Sequence, residues 1–362
     1  MNILHITRQF YPCIGGVENF VLNLAREQKA LGHNVSILTL DKNFADGNAL
    51  DKSSVFQGIK VDRIPFFGSR RYPIALSSIE YIKNIDILHI HCIDFFIDYL
   101  ALLKILHRKK MFLHTHGGFF HTKWMRLAKI VYFNTITRLV LKSCEKIIAC
   151  SESDYAIFRK ISDRVVRIDN GVDIARFSLI DKRIEPGTLL YIGRIDSNKR
   201  IDNLINTVAE VRKKIPDVRL KILGPDYSNL IPGLKRLASD LGLNNVTFLG
   251  VQGDEVLENE LSRAHLFVSA SEYEAFGIST VEAMASGTLC VLNDIEAFRD
   301  ITLSGQTGFL TDFADHESSA ARIIAALYLN KEEYNNYVSR AKSTAAKYDW
   351  HKVAKEITDL YI

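Results

Sequence analysis

AHLFVSASEYEAFGISTVEAMASGTLCVLN (264–293) is the stretch that settles the fold class. AHLFVSA (264–270) is a short apolar run that reads as a buried strand. SEYEAFG (271–277) is a loop, a helical pattern starts near Ile278, and TLCVLN (288–293) is the next apolar run. A strand, a helix and a second strand in so short a span form a parallel crossover unit, with helices covering the sheet. The same rhythm runs outward. TLLYIG (188–193), VRLKILG (218–224) and VTFLG (246–250) read as strands, with a helix over Ile201–Lys214.

Toward the amino terminus the alternation repeats as a separate set. ILHIT (3–7), NVSILTL (34–40), IDILHIH (85–91), MFLHT (111–115), KIIAC (146–150) and VVRI (165–168) read as strands. Val17–Leu31 reads as a helix, with Phe20, Val21, Leu24 and Leu31 near a 3.6-residue spacing and Gly32 as its stop. The expected architecture is therefore two doubly wound α/β domains facing each other across a cleft. The expected division is residues 1–170, a turn-rich linker 171–186, a second domain 187–347, and a helical tail 348–362. Ligands of such sheets bind outside the carboxyl ends of the strands, so the loops after the strands are the places to look for chemistry.

The chain of 362 residues is 47% hydrophobic and 24% charged, a globular profile. MNILHITRQF has an apolar run too short for a signal peptide and ends in Arg8. No stretch approaches the ~18 apolar residues of a spanning helix. The expectation is a cytoplasmic chain. None of the five cysteines forms a C-x-x-C pair, so free thiols are expected. Residues 1–180 hold 25 Lys/Arg against 16 Asp/Glu, and the remainder 21 against 26. Residues 101–146 alone carry ten basic residues and one acid, Glu145. Such asymmetry points to an anionic partner. TKWMRLAKIVYFNTITRLVLKS (122–143) interleaves Trp124, Tyr132 and Phe133 with the basic residues, which suits an anionic membrane surface. A core-facing helix with a solvated basic side is the structural alternative. No nucleic-acid motif is present.

Four constellations follow strands. RQFYPCIGGVENF (8–20) places Gly15 and Gly16 before a helix start, where a phosphate or a sugar hydroxyl can approach. It lacks the G-x-G-x-x-G of dinucleotide binders. FLHTHGGFFHT (112–122) puts His114 and His116 on one face, as His89 and His91 are on theirs. Two H-x-H pairs invite a metal, yet no carboxylate or Cys motif joins them, and an active-site histidine before Gly117–Gly118 is the better functional reading. IGRIDSNKR (192–200) projects Arg194 and Lys199, a fork and a point charge for phosphate. A solvated loop is the plain alternative. In 269–287, Glu274 precedes Phe276–Gly277, and Glu282 lies one turn inside the helix that follows. The amides of Phe276, Gly277 and Ile278 then face an anion.

Taken in order, GGVE (15–18), THG (115–117), NGVD (170–173), GRIDSNKR (193–200), the Glu274/Glu282 pair and SGQTGFL (304–310) resemble glycosyltransferase family 4, retaining enzymes of the GT-B fold. TRQFYPCIGG with LTLDKNF (38–44) and PFFGSRRYPIA (65–75) is similar to the exopolysaccharide and O-antigen mannosyltransferases of that family. The family commonly has glycine where Ala275 stands. The resemblance implies a nucleotide-sugar donor, GDP-mannose by preference, and a polyprenyl-diphosphate-linked saccharide acceptor at the inner face of a membrane. It implies that Arg194 and Lys199 neutralise the diphosphate, Glu282 holds the ribose, and Glu274 holds the donor sugar. The amides of Phe276 and Gly277 would take diphosphate or sugar oxygens. His116 would sit beside the sugar, and Gly15 and Gly16 under diphosphate and acceptor. No D-x-D is present, so no metal and no cofactor is expected. A UDP-hexose donor is the nearest variant. A sugar-nucleotide epimerase of the same fold and a non-catalytic subunit of a polysaccharide complex are the rival readings. The tail 348–362 is expected to return to the first domain.

Overall fold

The computed structural model describes residues 1–13, 15–117 and 126–362. The chain forms two compact units, Met1–Gly171 with Trp350–Ile362, and Val172–Asp349. In chain order the strands are β1 (Asn2–Ile6), β2 (Asn34–Leu40), β3 (Ser53–Phe56), β4 (Ile59–Ile64), β5 (Phe67–Ser69), β6 (Tyr72–Ile74), β7 (Ile87–His91), β8 (Lys110–His114), β9 (Lys146–Ala149) and β10 (Val165–Arg167) in the first unit. The second unit contributes β11 (Thr188–Ile192), β12 (Arg219–Leu223), β13 (Val246–Gly250), β14 (Leu266–Ser269), β15 (Leu289–Asn293) and β16 (Phe309–Thr311).

The first unit is one eight-stranded sheet, ordered β10-β9-β8-β7-β1-β2-β4-β3, with β5 and β6 as a separate hairpin. Every pairing in the large sheet is parallel except β3 with β4. From β1 the chain winds to β2 on one side and later reaches β7 on the other. That reversal opens a crevice at the carboxyl ends of β1 and β7. The register sets His5 beside His89, and His91 beside His114. Strands β3 and β4 escape a purely periodic reading. β3 is half-exposed, and IKVDRI of β4 mixes charges into its alternation.

The second unit has a six-stranded, wholly parallel sheet, β13-β12-β11-β14-β15-β16. Its reversal lies between β11 and β14, the two strands whose following loops carry GRIDSNKR and SEYEAFG. Gly193 and Gly224, which follow β11 and its other neighbour β12, sit where the turns after those two strands crowd. A Cβ on Gly224 would lie 2.0 Å from the Gly193 carbonyl oxygen.

Two expected boundaries are corrected. Residues 172–186 are not a free linker but part of the second unit, because Val172, Ile174 and Phe177 are buried in its core beside Val281 and Met284. Tyr348 also stays in that core, so the return to the first unit begins at Trp350. From there the helix Trp350–Asp359 buries Trp350, Val353, Ala354 and Ile357 against Phe20, Val21 and Leu24 of the helix Gly16–Ala30. Gly171 is required at this crossing, since a Cβ there would lie 2.4 Å from the Trp350 ring. The basic stretch is segmented into Arg126–Tyr132, a π-helical turn Phe133–Thr137, and Arg138–Val140. Lys123, Trp124 and Gly118 lie outside the described residues. All five cysteines are free thiols.

Ile357 is fully buried, and truncating such a side chain costs about 2–5 kcal/mol. Ile357→Ala should therefore raise hydrogen–deuterium exchange in β1 and in Gly16–Ala30 while leaving Val172–Asp349 protected. Equal loss of protection in both units would contradict this division of the chain.

Candidate active site

In the second unit, two loops are stitched together at the β11/β14 reversal. Asp196 caps a single 3-10 turn, Ser197–Lys199, by accepting from the Ser197 amide. Arg200 follows in a left-handed conformation and binds Glu272 and Asp202. The Glu272 amide donates to the Asn198 carbonyl. The result is that Lys199 Nζ stands 2.6 Å from Glu274 Oε1 with little of either side chain exposed. The same carboxylate oxygen accepts from Ser271 at 2.9 Å, and Ser271 is itself buried against Ser269. Arg194 is exposed. Its carbonyl accepts a hydrogen bond from the Tyr191 hydroxyl, while its guanidinium forms no ion pair among the described residues. Sequence reasoning named Lys199, Glu274 and Arg194 but missed that the first two form a pair held by Ser271. No spacing rule predicts that contact.

The helix Ile278–Ser286 starts at Gly277, whose φ of +102° only glycine adopts readily. A Cβ there would also come within 3.2 Å of Phe298 and Ile301. No side chain caps this start, so its first amides remain open to a ligand. Phe276 is buried and packs edge-on against Tyr348. Ala275 has no positive φ, so its methyl group does not disturb the loop. Burial pushes the Glu282 carboxyl up to about 7. Arg176 opposes that shift, and Asp254 and Asp173 add to it.

In the first unit, the Gly16–Ala30 helix begins after Gly15 with no side-chain cap. Glu18 folds back so closely that a Cβ on Gly15 would meet its carboxylate at 2.4 Å, while Gly16 faces open space. Desolvation raises the Glu18 carboxyl. The THG turn is held by Asp154, which accepts from the Thr115 hydroxyl and the Gly117 amide. His116 thereby takes a left-handed backbone, φ +57°. Five imidazoles gather here: His5, His89, His91, His114 and His116. Of these, only His116 is not fully buried. Desolvation lowers all five, His5 to about 4 and His116 to about 3.

His5, His89 and His91, or His91, His114 and His116, are close enough in principle to share a metal. However, His5 Nδ1 lies 2.9 Å from His91 Nε2, and His91 Nδ1 lies 2.7 Å from His116 Nε2. Two nitrogens on one tetrahedral zinc stand ~3.3 Å apart, so these contacts are hydrogen bonds. The H-x-H spacing revealed four of the rings. His5 gave no local signal, because strand pairing alone brings it to the group.

Buried Asp94 completes the crevice wall. It caps Phe95–Leu102 through the Phe96 amide and meets Arg8 Nε at 3.3 Å. Burial outweighs Arg8 and lifts its carboxyl to about 7.

With this geometry established, likeness to known proteins decides the family. Residues 14–176 match the family model described as Glycosyltransferase Family 4, and residues 179–344 match Glycosyl transferases group 1. A Xanthomonas campestris protein named GDP-mannose:cellobiosyl-diphosphopolyprenol alpha-mannosyltransferase is 37% identical over all of this chain and 96% of its own length. The chain belongs to glycosyltransferase family 4. A protein of the same name from Komagataeibacter xylinus is 36% identical over all of this chain and 93% of its own length. A glycosyltransferase structure from Rickettsia africae shares the GT-B fold, with a TM-score of 0.78 at 21% identity, over 99% of this chain and 97% of that one. The chain is a glycosyltransferase.

Asp94 and Glu282 bind protons in the folded state that the unfolded chain releases at pH ~4–4.5. Their contribution to stability is complete below that range and is lost as pH rises toward 7. Glu282→Gln removes its share. Between pH 5 and 7.5 the urea midpoint should fall less for Glu282→Gln than for wild type, and parallel curves would show that Glu282 titrates normally.

Proposed function

We propose that this protein transfers mannose from GDP-mannose, with retention of configuration, to a hydroxyl of a polyprenyl-diphosphate-linked saccharide destined for a surface polysaccharide. The observation that carries this reading is the end-to-end likeness to the two GDP-mannose:cellobiosyl-diphosphopolyprenol alpha-mannosyltransferases. Lys199, fixed by Glu274, and the exposed Arg194 supply positive charge for the donor diphosphate. The uncapped amides at Gly277 and Ile278 add the partial charge of a helix start. These groups replace a metal, so the reaction proceeds without one. The acceptor hydroxyl oxygen bonds to the anomeric carbon on the face from which the phosphate leaves. The C–O bond to phosphate breaks, and the hydroxyl proton passes to the departing phosphate oxygen. Glu274 holds sugar hydroxyls and Glu282 the ribose. Gly15 and Gly16 let diphosphate and acceptor approach the first unit closely.

The acceptor's lipid calls for a membrane, and the first unit has a surface suited to one. Leu102, Ile105 and Leu106 are 77–83% exposed, and Leu127 and Leu139 are 76% and 64% exposed. Lys104, Arg108, Arg138 and Lys142 flank them. The two segments meet where the Tyr132 hydroxyl donates to Asp98. No helix among the described residues is long and apolar enough to cross a membrane. Exposed apolar side chains flanked by cations suit an anionic leaflet, which supports a peripheral position on the inner face of the cytoplasmic membrane.

GDP or GDP-mannose at about 100 times its Kd adds roughly 2.7 kcal/mol and should raise the melting temperature by about 2–8 °C. UDP and ADP should not. A response to UDP alone would overturn the donor assignment. Lys199→Ala should lower kcat by about 10²–10³-fold, measured as transfer of radiolabelled mannose to a polyprenyl-linked acceptor. Ile105→Glu with Leu106→Glu should abolish cosedimentation with phosphatidylglycerol vesicles while leaving the GDP shift intact. Unchanged cosedimentation would remove this face from the membrane reading.

A further inference from the structure

The buried polar chain behind His116 has a direction, and that direction can be read from its fixed end. Thr358 donates its hydroxyl proton to the Ala354 carbonyl. Its oxygen is then left to accept from Gln28 Nε2 at 3.3 Å. Gln28 Nε2 also donates to the Tyr361 hydroxyl at 3.1 Å, which leaves that hydroxyl free to donate to the neighbouring His89 Nδ1. Both contacts turn the amide nitrogen of Gln28 toward the terminal helix and its oxygen toward His5.

An amide oxygen can only accept. His5 Nε2, 2.8 Å from Gln28 Oε1, therefore carries the proton. A neutral imidazole has one proton, so His5 Nδ1 is bare and accepts from His91 Nε2 at 2.9 Å. His91 Nδ1 is then bare in turn and accepts from His116 Nε2 at 2.7 Å. The remaining nitrogen, His116 Nδ1, has no hydrogen-bond partner among the described residues, and His116 is the one residue of the five that is not fully buried.

We propose that Gln28, His5 and His91 form a tautomer-setting relay that fixes His116 with its proton on Nε2 and presents His116 Nδ1 as an acceptor for a hydroxyl of a sugar ligand. The three are positioning residues, since they act through His116. The inverse arrangement would set the bare Nε2 of His5 against the Gln28 oxygen, two acceptors facing each other in a dry site. Burial keeps each ring neutral, so the relay moves no net charge and His116 binds a hydroxyl without removing its proton. A bare nitrogen also repels phosphate oxygens. This edge therefore recognises sugar and not diphosphate, a specificity that deepens the transferase reading and rests on it only for the identity of the ligand.

The test is long-range 15N NMR of the full chain labelled at histidine, without substrate, with single His→Gln variants for assignment. His5, His91 and His116 should each show a protonated Nε2 and a bare Nδ1. Gln28→Met, which cannot accept from His5, should leave His116 divided between both tautomers and lower kcat about 10-fold or more, with the GDP-induced melting shift retained. A wild-type His116 protonated on Nδ1 would overturn the proposal whether or not the variant folds. So would a Gln28→Met protein that is destabilised yet keeps the wild-type tautomer, because that is the signature of a merely structural glutamine. Failure of GDP to bind would instead count against the donor assignment, leaving the tautomer result to stand by itself.

Discussion

Two parallel strands whose onward connections leave in opposite directions must part at their carboxyl ends, and the loops there cannot cover the gap. That constraint acts twice in this chain, at β1/β7 and at β11/β14. Nearly every group with chemical potential stands beside one of the two openings. Lys199 and Glu274 come from loops far apart in sequence, yet their strands are neighbours in the sheet. His5 and His91 come from neighbouring strands and His116 from the turn after the next strand, β8. Moving either reversal would scatter these groups without altering a single local element.

The two openings are furnished differently. The second unit uses formal charge: an ammonium held by a carboxylate, an exposed guanidinium, and an uncapped helix start. Such an arrangement suits a ligand with several negative charges. A Lys–Glu pair with so little exposure also carries a desolvation cost, so removing one partner strands the other. The histidine cluster of the first unit uses neutral dipoles in an apolar setting. Its imidazoles are deprived of charge by burial, and what remains is the direction of each N–H. Oriented neutral groups discriminate among hydroxyls without attracting phosphate.

Much of the fold was legible because parallel strands buried on both faces are short apolar runs, and their helices show a clear amphipathic period. The edge of the first sheet was not. Strand β3 is half-solvated, and β4 beside it carries Lys60, Asp62 and Arg63 among its apolar residues, so their composition is mixed. The division between units was also misread at 171–186. Turn-rich composition marks a change of direction, but only packing shows that Val172, Ile174 and Phe177 are core residues. At the site, Glu274, Lys199 and Gly277 were named from motif order, and the structure gives Gly277 its reason, a left-handed helix start. Ser271, Gln28 and His5 were not named, since each matters through a contact made across the sheet.

By itself, the sequence determined the α/β class, the two-fold repetition of the winding, and the family. These follow from local periodicity and from short motifs in a fixed order, both of which are properties of neighbours along the chain. Tertiary structure alone decided which charges pair, where Trp350 returns to the first unit across Gly171, and which nitrogen of His116 is left bare. Those depend on strand register and on hydrogen bonds between residues up to 333 positions apart, and no pattern of neighbours encodes the direction of a buried proton.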